Sequence, residues 1–169
     1  MTTAEFRDNV LPLKNKLYGL AYRLLYDVED ARDTVQEVMM KLWEAGKPLE
    51  EIENLEAWSM TMVRNRSLDR IRTTQLKHKH HRELRVVTEG HYVPADRLEE
   101  EEKIKAVHKF MQELPVIQRE LLELRDFQDK TYDEMATITG LDLQQVKVYL
   151  HRARKSIREK IENLHAYGI

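Results

Sequence analysis

Residues 131–160 read TYDEMATITGLDLQQVKVYLHRARKSIREK, and the fold turns on this stretch. Thr131 followed three residues later by Glu134 forms a capping box, in which each side chain serves the other's backbone N–H. The short apolar run YDEMATIT then stops at Gly140, a residue free to take the left-handed conformation that ends a helix. Asp142 is placed to cap a second, longer helix from about Leu143. Two helices across so tight a glycine turn predict a helix-turn-helix unit. In the second helix Val146, Leu150, Ala153 and Ile157 share one face and predict a core. Gln144, Val148, His151 and Lys155 share the opposite face, flanked by Lys147 and Arg152. Gln pairs with adenine edges, and Lys, Arg and His hold phosphate or guanine. An ordinary helical hairpin with a hydrated face is the alternative, and the caps and the basic stripe together favour DNA binding.

The same periodicity runs outward through the chain. Ile104, Val107, Met111 and Leu114 make one apolar stripe, ended by Pro115, and Ile117, Leu121 and Leu124 make the next. Near the N-terminus Phe6, Val10, Leu13, Leu17, Leu20 and Leu24 recur at steps of three and four, with Pro12 beginning or bending the helix. Asp27 is a good cap for a second helix burying Val28, Ala31, Val35, Val38 and Leu42, and Gly46 with Pro48 stops it. Asn54 can cap a third helix to about Thr74, with Ala57, Met60, Leu68 and Ile71 on one face. Trp58, Met62, Asn65, Asp69 and Arg72 fall on another stripe, with Arg66 and Arg70 beside it. Arg64 projects onto the buried face, which predicts an internal ion pair. The prediction is an all-α chain of two small domains. A helical bundle over residues 1–75 and a four-helix domain with the helix-turn-helix over 99–169 are joined by a flexible linker over 76–98, where no period is sustained.

Charge sharpens the reading. Between Arg64 and Arg85 eight Lys/Arg stand against two Asp/Glu, and between Lys147 and Lys160 six stand against one. Two separated basic stretches in a chain of net charge −2 suggest an anionic partner touched twice. The acids collect elsewhere, around Glu50–Glu56 and Glu99–Glu102. Absence of cysteine excludes disulfides and thiolate metal sites and suits a reducing cytoplasm. No apolar run approaches the roughly 18 residues of a membrane span. His78, His80 and His81 lack a carboxylate at ligand spacing, so no metal and no cofactor is expected. No phosphate loop and no nucleophile–base pair is present, and the chain is expected to act by binding rather than catalysis.

Three quoted stretches resemble one family. LPVIQRELLELRDFQDKTYDEMATITGLDLQQVKVYLHRARKSI (114–157) looks like the C-terminal helix-turn-helix domain of extracytoplasmic-function (ECF) sigma factors, through Leu114-Pro115, Tyr132-Asp133-Glu134-Met135-Ala136 and His151-Arg152-Ala153-Arg154. DVEDARDTVQEVMMKLWE (27–44) resembles their polymerase-binding helix, and WSMTMVRNRSLDRIR (58–72) their promoter-melting helix. The resemblance covers about residues 5–75 and 100–162. It implies core RNA polymerase and promoter DNA as partners, duplex at the minus-thirty-five element and single-stranded at the minus-ten element, with an anti-sigma protein as regulator. It implies polymerase contacts at Asp30, Asp33, Gln36, Glu37, Lys41 and Trp43. It implies minus-ten contacts at Trp58, Met62, Asn65, Arg66, Arg70 and Arg72, where an unstacked base needs apolar surface and phosphate needs cations. Minus-thirty-five contacts fall on Gln144, Gln145, Lys147, Val148, His151, Arg152 and Lys155. Here the sequence departs from the family, with Val148 and Tyr149 after Lys147 where a small hydroxyl residue and an Arg are frequent, and Gln145 where a Thr is usual. A stand-alone helix-turn-helix regulator and a sigma mimic that binds only an anti-sigma protein are the alternatives. The Trp58–Arg72 stripe argues against the first, and the lack of a switch domain against the second.

Overall fold

A computed structural model describes residues 1–77 and 95–166, and among them every regular element is helical. The N-terminal bundle starts with a single turn, α1 (Thr3–Glu5), opened by a capping box between Thr2 and Glu5. The chain then widens to a π-helical turn over Phe6–Val10 and tightens to a 3-10 turn over Leu11–Leu13 before α2 (Lys14–Leu25). Pro12 lies in this irregular stretch; it has no N–H and its ring excludes a regular i→i−4 ladder, so the helix starts afresh after it. Leu17, Leu20 and Leu24 of α2 are buried as their spacing predicts. Tyr26 ends α2 at φ +50°, its N–H donating to the Tyr22 carbonyl at 2.7 Å.

Asp27 caps α3 (Val28–Glu44), its carboxylate accepting from the Asp30 N–H at 2.8 Å. Ala31, Val35, Val38 and Leu42 are buried, joined by Thr34 and Met39. Val28, expected inside, is exposed, because it stands in the first turn at the corner the chain rounds before α3 meets its neighbours. Gly46, at φ +58°, ends the segment. The Asn54 side chain caps α4 (Leu55–Lys77) through the Ala57 N–H at 2.9 Å. The buried face of α4 carries Ala57, Met60, Val63 and Ser67, while Leu68 and Ile71 are only half-buried. The helix is thus turned from its expected apolar face, because α2 and α3 wedge against it from two sides.

The C-terminal bundle contains α5 (Ala95–Glu113), α6 (Val116–Leu122), α7 (Tyr132–Thr139) and α8 (Leu143–Ala166), with a π-helical turn over Glu123–Phe127. Its core is Met111, Leu114, Leu121, Leu124, Met135, Ile138, Val146, Leu150 and Ala153. Ile104 is exposed, because it lies one turn before Val107, where α5 begins to pack against the core. The helices run into both ends of the expected linker: α4 continues to Lys77 and α5 begins at Ala95. Gln75, Leu76 and Lys77 are good helix formers with no breaker among them. His78, His80 and His81 lie outside the described residues.

The two bundles meet face to face. α2 packs on α6 and the π turn, and α4 packs on α7. Arg23 of α2 donates to Glu123 at 3.0 Å with both side chains almost fully buried, and its guanidinium lies 4.8 Å from the Phe127 ring centroid. Arg64 of α4 meets Glu120 of α6 at 2.5 Å, so the internal ion pair expected for Arg64 exists, with its partner in the other bundle. Arg119 donates to the carbonyls of Arg23 and Leu24 at the C-terminal end of α2, and Gln128 donates to that of Lys16. Gly19 marks the closest approach: a Cβ built there would stand 2.9 Å from a Glu123 carboxylate oxygen.

Candidate functional site

Three surfaces hold the candidate residues. On the helix-turn-helix, both halves of the Thr131–Glu134 capping box form, and α7 spans Tyr132–Thr139. Gly140 adopts φ +75°, with its N–H on the Ala136 carbonyl. Asp142 and Gln145 make a second reciprocal cap, the Gln145 N–H donating to Asp142 at 2.7 Å and the Asp142 N–H to the Gln145 amide oxygen at 3.1 Å. That bond holds the Gln145 side-chain carbonyl oxygen against the helix start. Val146, Leu150 and Ala153 seat α8 in the core. Gln144, Lys147, Val148, His151, Arg152 and Lys155 are all exposed on its outer side. Lys147 lies over the Tyr132 ring and Arg152 over the Tyr149 ring, each 5.8 Å from the centroid, so aromatic faces hold both cations in place. Lys155 is 3.9 Å from Glu159, one turn on.

The second surface is the outer stripe of α4. Asn65 and Arg72 are exposed, and Trp58 and Met62 are half-buried, with Lys47 of the preceding loop 5.9 Å from the Trp58 ring centroid. Asn65 and Arg72 are the open positions of this stripe, while the Trp58 and Met62 side chains pack in part against the core. Arg66 and Arg70 behave differently. Arg66 donates to Glu37 of α3 at 2.5 Å, and Arg70 donates to Glu37 at 2.5 Å and to Asp30 at 3.5 Å. The bond from Arg66 holds the Glu37 carboxyl below the usual carboxylate range, and the Arg70 charge adds to it. Residues expected on two separate surfaces, Asp30 and Glu37 toward protein and Arg66 and Arg70 toward nucleic acid, are thereby brought together. Sequence spacing within one helix carries no signal for a pairing across two.

The third surface is the exposed side of α3. Asp33, Gln36, Lys41 and Trp43 are exposed, and Trp43 stands edge-on to Phe6, ring centroids 5.4 Å apart. Phe6, Leu11, Met39, Met40 and Trp43 border a shallow apolar depression of about 320 Å³ beside Gln36. Met40 (55% exposed) and Leu11 (44% exposed) are surface residues that sequence reasoning missed. The signal was available, since Gln36, Met40 and Trp43 fall on one helical face by their steps of four and three.

Two helical bundles, one ending in a helix-turn-helix with an exposed cationic outer face, define a nucleic-acid-binding protein of two modules. Residues 10–76 match the family model for sigma-70 region 2, and residues 104–157 match that for sigma-70 region 4. The chain is 27% identical over 164 residues to the ECF RNA polymerase sigma factor SigK of Mycobacterium tuberculosis, covering 94% of this chain and 85% of that one. It is 24% identical over 169 residues to the ECF sigma factor SigW of Bacillus subtilis, covering 94% of this chain and 90% of that one. In fold it resembles the sigma factor RpoE of Bartonella quintana, solved with the anti-sigma factor NepR, at TM-score 0.74 and 24% identity, covering 94% and 97% of the two chains. The fold of CnrH, solved with the cytosolic domain of CnrY, is similar at TM-score 0.66 and 20% identity, covering 96% and 90%. The chain belongs to the sigma-70 family, among its ECF sigma factors, which direct RNA polymerase to promoters. Among the described residues no helix is long and apolar enough to cross a membrane.

Proposed function

We propose that this sigma factor divides its work among the three surfaces, with residues 1–75 acting as the region 2 domain and 99–169 as the region 4 domain. The α3 surface docks on core polymerase, with Trp43, Met40 and Leu11 as apolar anchor and Asp33, Gln36 and Lys41 as polar rim. Glu37 and Asp30 support this surface from within, by holding Arg66 and Arg70. The α8 face enters the major groove of the minus-thirty-five duplex, where Lys147, Arg152, His151 and Lys155 meet phosphate or guanine. Gln144 there suits adenine, and Val148 offers an apolar contact to a thymine methyl. The α4 stripe receives an unstacked minus-ten base against Trp58 and Met62, with Asn65 reading its edge. The protein works by binding, in the cytoplasm, under an anti-sigma protein that covers these surfaces.

The observation that carries the reading is Asn65 exposed in the middle of α4, on one stripe with Trp58 and Met62, which are half-buried and pack in part against the core. A duplex-only regulator needs no such face. Asn65→Ala removes a hydrogen bond to a buried base edge, a loss of about 1–3 kcal/mol. Open-complex formation falls, with the defect concentrated at one minus-ten position. It persists on a template already mismatched across that element, since the base must still be held after melting. Full rescue by the mismatched template overturns the base-reading role of Asn65.

A further inference from the structure

The outer face of α8 keeps its charges away from its centre. Gln144, Val148 and His151 occupy successive turns along the middle of that face, and Lys155 follows beside Glu159. By the helical period, Lys147 and Arg152 lie on opposite flanks of this stripe. Arg152 stands between the stripe and Tyr149, and its guanidinium is 5.8 Å from that ring centroid. Lys147 is equally far from the ring of Tyr132, which belongs to α7. Both rings are half-buried and pack against the core, so they are fixed supports. Cation–π attraction to them draws the two charges outward, away from the stripe. Gln145 is engaged as well, since its side-chain oxygen accepts from the Asp142 N–H, and pairing with adenine through both ends of the amide needs that oxygen. Val148, 39% exposed, therefore stands at the centre of what remains. It has no hydrogen-bonding atom, and its branched Cβ holds essentially one rotamer in a helix. A polar base edge set against it would lose water and gain no partner, whereas a thymine methyl would gain apolar contact.

We propose that Tyr132 and Tyr149 are positioning residues that assign Lys147 and Arg152 to the phosphate walls of the groove, so that Val148 is the specificity-determining residue and selects a thymine in the minus-thirty-five element. The proposal rests on the reading that α8 enters the major groove of that duplex. Phosphate contacts fix register and carry no sequence information, and base contacts specify. A Lys or Arg free to swing inward would pair with guanine, so holding both cations at the flanks takes guanine recognition out of the centre of the face. Val148 and Tyr149 are the two positions at which this recognition helix departs from the residues frequent in its family, and the departures work together. One supplies the apolar contact, and the other keeps a competing cation off it.

Holoenzyme assembled from the full chain and core RNA polymerase can select sequences from a duplex library randomised across both promoter elements. Each thymine in the selected minus-thirty-five element is then replaced singly by deoxyuridine, which lacks only the C5 methyl. At one thymine the replacement is expected to weaken binding about fourfold, the scale of one buried methyl. Cytosine at that position should cost about tenfold or more. Val148→Ala, at an exposed site the fold tolerates, should bind thymine and deoxyuridine there alike. Arg152→Ala and Lys147→Ala should weaken all sequences alike, each lowering the salt slope by about one, and should select the parent sequence. Tyr149→Leu should weaken binding severalfold, Tyr149→Phe should restore it, and Tyr149→Leu should add nothing once Arg152 is Ala, an outcome that a merely structural role for the ring would not give. Deoxyuridine tolerated at every thymine would overturn the proposal, as would a methyl dependence that Val148→Ala retains. So would a changed base preference at one position on Arg152→Ala, since it would put that guanidinium on a base. A parent holoenzyme that enriches a minus-ten sequence but no minus-thirty-five sequence would instead strike the placement of α8 in the groove, and the proposal with it.

Discussion

Helices α4 and α8 both carry runs of basic side chains. On α8, Arg154 and Lys160 pair with Asp126 and Glu113, but the cations of its outer face are treated in the opposite way to those of α4. On α4, Arg64, Arg66 and Arg70 reach carboxylates on other helices, and only Arg72 stays at the surface, 3.6 Å from Asp69 of its own helix. On α8, Lys147, His151 and Arg152 meet no carboxylate among the described residues, and Tyr132 and Tyr149 lie under the two cations. On the proposed function, the difference follows from what each helix must hold. A duplex offers its phosphates on the outside, so free surface cations are useful there. A single-stranded base is held by shape, apolar contact and a hydrogen bond, and the helix that does this must first be fixed firmly in its own bundle. On that reading, similar composition serves anchoring in one helix and electrostatic attraction in the other.

That contrast can be broken most forcefully at Glu37. Glu37→Ala takes the carboxylate from both Arg66 and Arg70, and thermal unfolding should show a loss of roughly 1–2 kcal/mol, moderated by the partial exposure of the pair. Lys147→Ala should stay within about 0.5 kcal/mol of the parent chain. Equal stability losses would erase the distinction between anchoring and attracting cations. Glu37 is also a poor probe of polymerase docking, since its removal disturbs α4; Gln36→Ala is the cleaner variant.

The salt dependence of promoter binding sharpens the comparison further. Lys155→Ala or Lys147→Ala should weaken binding to all sequences alike and lower the slope of log K against log salt by about one. Arg66→Ala should leave that slope unchanged, because its charge is already neutralised by Glu37. A slope that falls with Arg66 would place that guanidinium on phosphate.

The smallest expected effect is in pH. Glu37 lies below the ordinary carboxyl value of 4.5 because Arg66, and with it Arg70, bonds the ionised form. Its contribution to folding is therefore complete above that value and is lost as pH falls through the depressed one. Glu37→Gln should flatten the acid limb of the stability curve relative to the parent chain, and parallel limbs would show that Glu37 titrates freely.

Local signals were fully legible in the sequence. The caps at Asp27, Asn54, Thr131 and Asp142, the left-handed Gly140 and the buried stripe of α8 depend on residues three or four positions apart, and short-range hydrogen bonding and helical period determine them. The outward face of α8 followed at once, because a helix with one apolar stripe has its other side exposed. On α4 the same logic misjudged the face, since two neighbours cover it and apolar period alone does not say where the second will sit. Tertiary structure alone decided which carboxylate each α4 arginine meets. It also decided that Met40 and Leu11 extend the Trp43 patch and that the two bundles close on one another through Arg23, Arg64 and Gly19. Those contacts join residues some 30 to 100 positions apart, such as Arg23 and Glu123. A charge's partner at that separation is set by how whole helices pack, and no repeat in the sequence encodes it.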